Sequence, residues 1–302
     1  MKSIMFLLIC VFFSCSSFGF AEKDTIIIKG VFLGATKISK VSLFAYNDKT
    51  PIAEGNVSGN IFMLLLTDRI EPGVYYLQYL NEENLKTDLI IDGVEKNILL
   101  EINKGNSFYH PLPIIRESMV NKKWYGYLNE TQIRVERLNK LFDFFTIFST
   151  QLDNKVLRYY QKERRQYYKL FSKFIKDNSN NWAGLIVANN PYYFSNLKKK
   201  PIIRDFLRQD YFWEDIDTNN SKLINSPIYI QHINNYLSYV EDISKHHPFS
   251  EAEKLRELKK CSDVIIDKFS KNIQTKQFAK KHLLNIFSNK KNNELLDYVI
   301  AK

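Results

Sequence analysis

Ten glycines and three cysteines in 302 residues leave little material for two common kinds of chemistry. Glycine this sparse argues against long flexible linkers and against a glycine-rich phosphate loop. Cys10 and Cys15 lie in the amino-terminal leader and Cys261 stands alone in the body of the chain, so neither an intrachain disulfide nor a Cys-x-x-Cys redox pair is expected. Histidine is scarce too. His110, His232, His246, His247 and His282 include no pair at i, i+4 and no His-Glu-x-x-His, which removes local support for a zinc site. His246-His247-Pro248 reads instead as a helix end.

Long apolar runs are also lacking. The one at residues 4–13, within "MKSIMFLLICVFFSCSSFGFAEKD", is short for a membrane span but has the lysine before it and the small residues after it that mark a secretory signal. Two processing routes are open. Cleavage after Ala21 would use Gly19 and Ala21 as the small residues and release a soluble chain. Alternatively, Ser14-Cys15 would act as a lipobox and Cys15 would carry the lipid. Phe12 stands where a lipobox has leucine, which favours plain cleavage. Either route leads out of the cytoplasm, into a Gram-negative periplasm or its outer-membrane-associated envelope. A membrane attachment is expected only through Cys15.

What the chain has in quantity is patterned apolar residues. Hydrophobic content of 45% and charged content of 25% describe a folded protein, and the length is enough for two domains. From residue 24 to about 103 the pattern is short and strand-like: "TIIIKGVFL", "KVSLFAY", "NIFMLLLTD", "GVYYLQYL", "TDLIIDG" and "KNILLEI". Pro72-Gly73 marks a turn, and Asp92-Gly93 is expected to close a hairpin. Within "GVYYLQYL", Tyr75, Leu77 and Tyr79 share one face, and Val74, Tyr76 and Gln78 the other. After Pro111 and Pro113 the period changes to that of helices. A long one opens near Asp153 with Val156, Tyr160, Tyr167, Phe171 and Phe174 as its apolar stripe; others fit residues 182–188, 201–212, 227–240, 251–270, 275–288 and 293–301. The expected fold is therefore α+β, an antiparallel β-sandwich over residues 22–112 and an all-α domain over 113–302, after a signal peptide at 1–21.

Charge divides unevenly between these halves. Residues 22–112 carry 9 Lys/Arg against 12 Asp/Glu, while residues 113–302 carry 33 against 21, a surplus of twelve positive charges. Such a surplus attracts nucleic acid, anionic headgroups or an acidic protein, and export sets nucleic acid aside. Lys198, Lys199 and Lys200, with Arg158 and Arg165, form the candidate basic interaction patch.

Other candidate chemistry is thin. Cys261 falls on a helical stripe with Leu255, Leu258, Ile265 and Phe269, as a core residue would. Ser-x-x-Lys occurs at Ser195–Lys198 and Ser288–Lys291 without the companion motifs of a serine nucleophile. Glu214, Asp215 and Asp217 lack the order of a calcium loop and are expected to cap the following segment. There Ser226 is a natural N-cap with Pro227 at the first helical position, and Phe212, Trp213, Leu223 and Ile224 should fold across the joint. No catalytic, cofactor-binding or metal-ligating residue is assigned.

Four segments nevertheless share a likeness. "YFWEDIDTNNSKLINSPIYIQHINNYL" resembles the helical module ahead of the thioredoxin domain in Gram-negative envelope thiol–disulfide oxidoreductases of the alkyl-hydroperoxide-reductase-like type. The strand segments are similar to the β-rich domain of unknown function at the start of those proteins. "SMVNKKWYGYL" resembles the segment joining the two, and "FIKDNSNNWAGLIV" the step from long to short helix. The resemblance implies kinship with the non-redox part of such proteins. Their thioredoxin fold, with its paired cysteines, would begin about where "NNELLDYVIAK" ends, and no residue here maps onto those cysteines. The expectation is a non-catalytic envelope binding module with a protein partner, or else the recognition subunit of a split oxidoreductase working with a separate thioredoxin-fold chain.

Overall fold

The computed structural model describes residues 25–34, 36–80, 82–103, 112–147, 154–194, 212–246 and 249–302. The leader with Cys15, the segment with Lys198, Lys199 and Lys200, the expected helix at 201–212 up to residue 211, and His110 and His247 lie outside the described residues.

Eight strands build two four-stranded sheets: β1 (Ile26–Leu33), β2 (Lys40–Ala45), β3 (Ala53–Asn56), β4 (Ile61–Leu66), β5 (Gly73–Tyr79), β6 (Glu82–Ile91), β7 (Asn97–Asn103) and β8 (Ile114–Glu117). The first sheet runs β4-β1-β7-β8 and the second β3-β2-β5-β6. Strand pairs are antiparallel except β1 with β7, which run parallel. Alternation decides what lies between the sheets. Ile28, Phe62, Leu64 and Leu100 point inward from the first sheet, and Val41, Leu43, Leu77 and Leu89 from the second, all essentially without exposure. The inward face of β5 is the one with Tyr75, Leu77 and Tyr79; Tyr79 donates to Thr87 Oγ1 at 2.7 Å, so its buried hydroxyl keeps a partner.

The Asp92-Gly93 turn is not a hairpin. β6 and β7 belong to different sheets, so the turn carries the chain across the sandwich. Gly93 supplies the positive φ of 78°, and Asp92 Oδ1 accepts from the amides of Val94 and Glu95, both at 2.9 Å. Local turn chemistry is the same in both cases, and only the pairing of the flanking strands distinguishes them. The sheet region also continues past residue 112, since β8 pairs with β7.

Seven α-helices follow among the described residues: α1 (Met119–Ile147), α2 (Asn154–Asp177), α3 (Trp182–Ala188), α4 (Pro227–His246), α5 (Glu251–Lys268), α6 (Ile273–Asn289) and α7 (Asn293–Ile300), with a 3-10 turn at Ser221–Asn225. Asparagine caps three of the starts: Asn181, Asn272 and Asn292 each accept a backbone N–H through the side chain, while Ser250 and Glu253 form a capping box on α5. Ser226 does the same for α4, its Oγ accepting from Ile228 N at 3.3 Å ahead of Pro227. Trp213 packs against Phe212, Tyr236 and Phe269, and Leu223 is fully buried, so the aromatic stretch is an internal clasp.

The helices meet the second sheet, and one hydrophobic cluster runs from the sandwich through α3 to α7. Gly73 opens β5 where an added Cβ would stand 2.4 Å from the carbonyl oxygen of Asn225, so the 3-10 turn can rest directly on the strand. α1 and α2 form a hairpin with its own small core of Val135, Leu138, Tyr160 and Tyr167, closed by Phe194.

Candidate functional site

The helices pack on the second sheet at the end marked by the buried Val74 and Ile90, and among the described residues the first sheet keeps an open outer face. β4 reads "IFMLLL", an uninterrupted apolar run, whereas a strand buried on one side alternates. Phe62, Leu64 and Leu66 fill the core. Ile61, Met63 and Leu65 point the other way and stay 42%, 52% and 51% exposed.

The register extends this row across the sheet. Leu65 lies beside Ile27, Met63 beside Lys29 and Ile61 beside Val31; on the far side of β1, Lys29 adjoins Leu99 and Val31 adjoins Glu101. Ile27, Val31 and Leu99 are half-exposed. The boundary is charged: Arg116 makes a two-point contact with Glu101, Nε to Oε1 at 2.8 Å and a terminal nitrogen to Oε2 at 2.7 Å. The face thus has an apolar row on the edge strand β4, a lysine on β1 beside it and a charged boundary on β7 and β8. The continuous run in "NIFMLLLTD" was the available sequence signal, but without the sheet order it shows only that a strand is present.

Elsewhere the residues singled out in the sequence come together in two pairs, His282 with Ser288 in one pocket and His232 with Asp215 in another. Cys261 is buried, and desolvation together with the neighbouring Glu257 carboxylate pushes its thiol up to about 11. His232 bonds through Nε2 to the carbonyl of Asn189 at 3.2 Å against the edge of Phe212, and burial lowers its pKa. His282 is stacked on Phe278 and bonded to Asn234, likewise lowered by burial. His246 is the last residue of α4. Ser288 and Lys291 sit exposed at and beyond the end of α6; Ser288 lines a pocket with Asp48, Lys281 and His282, but Lys291, the other half of its Ser-x-x-Lys, does not line that pocket.

The acidic cluster behaves differently from expectation. Asp217 Oδ1 accepts from Asn219 N at 3.2 Å in a local turn, but the side chain capping the 3-10 turn is that of Asn220, which bonds Lys222 N; Glu214 and Asp215 are exposed. A carboxylate is not needed where a neighbouring amide reaches the same N–H. Asp88 is a half-buried acid with a shifted pKa. Tyr46 donates its hydroxyl to the Asp88 carboxylate, and burial raises the Asp88 pKa in spite of that bond and of Lys86 nearby. Tyr125 donates to the Asp88 carbonyl at 2.6 Å, which makes the group part of the junction with α1.

Of the basic patch, Arg158 and Arg165 are exposed on α2; its three lysines lie outside the described residues. Among the described residues no cluster of three or more His, Cys, Asp or Glu is arranged to hold a metal, and no helix is long and apolar enough to cross a membrane. No protein-family model, curated protein or solved structure matches this chain.

Proposed function

We propose that the chain is an exported, non-catalytic binding module of the bacterial cell envelope that docks a partner protein on the open face of its first sheet. The observation that carries this reading is the exposed row Ile61, Met63 and Leu65 on a strand whose opposite side is core. Contiguous apolar surface is unfavourable in water, at about 25 cal/mol per Å², and a partner that covers it recovers that term. Export rests on the leader, and accessory character on the likeness to the non-redox part of envelope oxidoreductases. The buried Cys261 thiol, held protonated at neutral pH, is a poor attacking sulfur and supports a binding role.

A second reading makes the chain the recognition subunit of a split thiol–disulfide oxidoreductase, with a thioredoxin-fold chain on the same face. The family resemblance favours it. Capture from envelope extracts with tagged mature chain, at low and at high salt, tests both. A partner held on apolar surface stays bound at high salt, where charge contacts are screened. Recovery of a thioredoxin-fold protein would select the split enzyme. Insulin reduction by the chain alone would contradict both readings.

A further inference from the structure

The outer side of α2 carries a row of cations. Arg158, Lys162, Arg165, Lys169, Lys173 and Lys176 are all exposed. At 100° per residue they fall within an arc of about 80°, and at 1.5 Å per residue they span about 27 Å of helix. The arc lies opposite Tyr160 and Tyr167, which seat the helix on α1, so the row forms the crest of the α1–α2 hairpin. Among the described residues none of the six has an ion-pair partner. The helix holds two acids: Glu163 turns inward to Arg134 Nη1 at 2.8 Å, and Asp177 is its last residue.

Neighbouring like charges three and four positions apart weaken a helix, and here they follow one another through five consecutive steps. A solvated face would mix signs at these spacings. We infer that the α2 crest is a docking surface for an anionic lipid bilayer, working beside the sheet face and independently of it. Charge and layout select this occupant. The six cations line one side of a single helix along about 27 Å, and a flat array of mobile anionic headgroups can meet them along that whole length and gather charge beneath them. No apolar residue lies within the arc, so the contact is electrostatic and superficial and requires neither insertion nor a lipid on Cys15. Tyr159, 43% exposed at the flank, fits the headgroup zone where tyrosine is favoured.

The test is co-sedimentation of the mature chain from residue 22, which contains every described element, with phosphatidylcholine vesicles with or without phosphatidylglycerol. Expected are binding only to the phosphatidylglycerol vesicles at ~0.1 M salt and release at ~1 M, where the Debye length falls from about 10 to about 3 Å. Arg158→Glu/Arg165→Glu should weaken binding by about tenfold or more, because each basic residue near an anionic surface contributes about a factor of five. Lys37→Glu/Arg69→Glu, the same charge change in the sheet region, should stay within about twofold of the parent. Both variants are exposed substitutions whose folding is checked by circular dichroism, and Arg158→Gln/Arg165→Gln gives a milder version of the same loss. Equal binding to uncharged vesicles, no binding to charged ones, or an unchanged Arg158→Glu/Arg165→Glu variant would overturn the inference. So would binding to a soluble sulfated glycan without binding to vesicles.

Discussion

The side-chain amide of Asn121 takes the place of a neighbouring strand for Ile90. Its Oδ1 accepts from Ile90 N at 2.8 Å and its Nδ2 donates to Ile90 O at 2.7 Å. Because β6 is an edge strand, these two backbone groups have no strand on that side, and α1 buries them. Ser118, in a positive-φ conformation before the helix, holds the amide in place through Oγ at 2.8 Å. Asn121→Ala should therefore leave a buried N–H and C=O unpaired and cost about 2–6 kcal/mol of stability, at about 1–3 for each group. A urea-unfolding midpoint unchanged from the parent would contradict this.

The same junction bears on cooperativity. Glu95, from the turn after β6, accepts the first amides of α1, Met119 N at 2.5 Å and Val120 N at 3.1 Å, and Tyr125 holds the Asp88 carbonyl. With the apolar core continuous across the junction, the sheets and helices should unfold together. Far-ultraviolet circular dichroism and tryptophan fluorescence, which reports on Trp124, Trp182 and Trp213 in the helical half, should give coincident thermal curves. Two resolved transitions would show that the halves are independent.

Cys261 provides a pH prediction. Its folded-state pKa is raised to about 11 by burial, so the unfolded chain releases this proton first as pH rises through the ordinary thiol range near 9. The folded state then binds more protons, and the contribution of this group to stability falls between pH 9 and about 11. Iodoacetamide at pH 8 should label Cys261 at least about tenfold more slowly in the folded chain than in urea. Equal rates would mean that the thiol is accessible and ionised.

His232 acts at the other end of the pH range. Burial lowers its folded-state pKa, so the unfolded chain takes up the proton first as pH falls through 6.5, and stability declines below that point. Replacing His232 with Gln should flatten the decline between pH 7 and 5. His282, also lowered by burial, leaves a residual slope in that variant.

Much of this architecture was legible from periodicity. Six strands and the helices at α2, α3 and α4 to α7 follow from apolar spacing, and the Ser226-Pro227 start from capping chemistry alone. β3 and β8 were not legible. "AEGN" carries no apolar alternation because β3 is a short edge strand, and "IIRE" follows Pro111 and Pro113, which read in sequence as the end of the sheet region. The sheet assignment of β6 and β7 depends on pairing over long range, which the Asp92-Gly93 turn does not encode. The candidate face was hidden for the same reason. Ile61, Met63 and Leu65 look like any buried strand until the strand order puts β4 at an edge and the helices are found on the other sheet.

Photo-crosslinking tests the docking claim most directly. A benzophenone amino acid replaces Met63 in one chain and Val94, which is 77% exposed on the β6–β7 turn, in another. Both are exported in the native envelope and irradiated. The docking account predicts a discrete adduct with one partner from position 63 and none from position 94. An adduct of equal yield from both positions, or none from position 63, would contradict it.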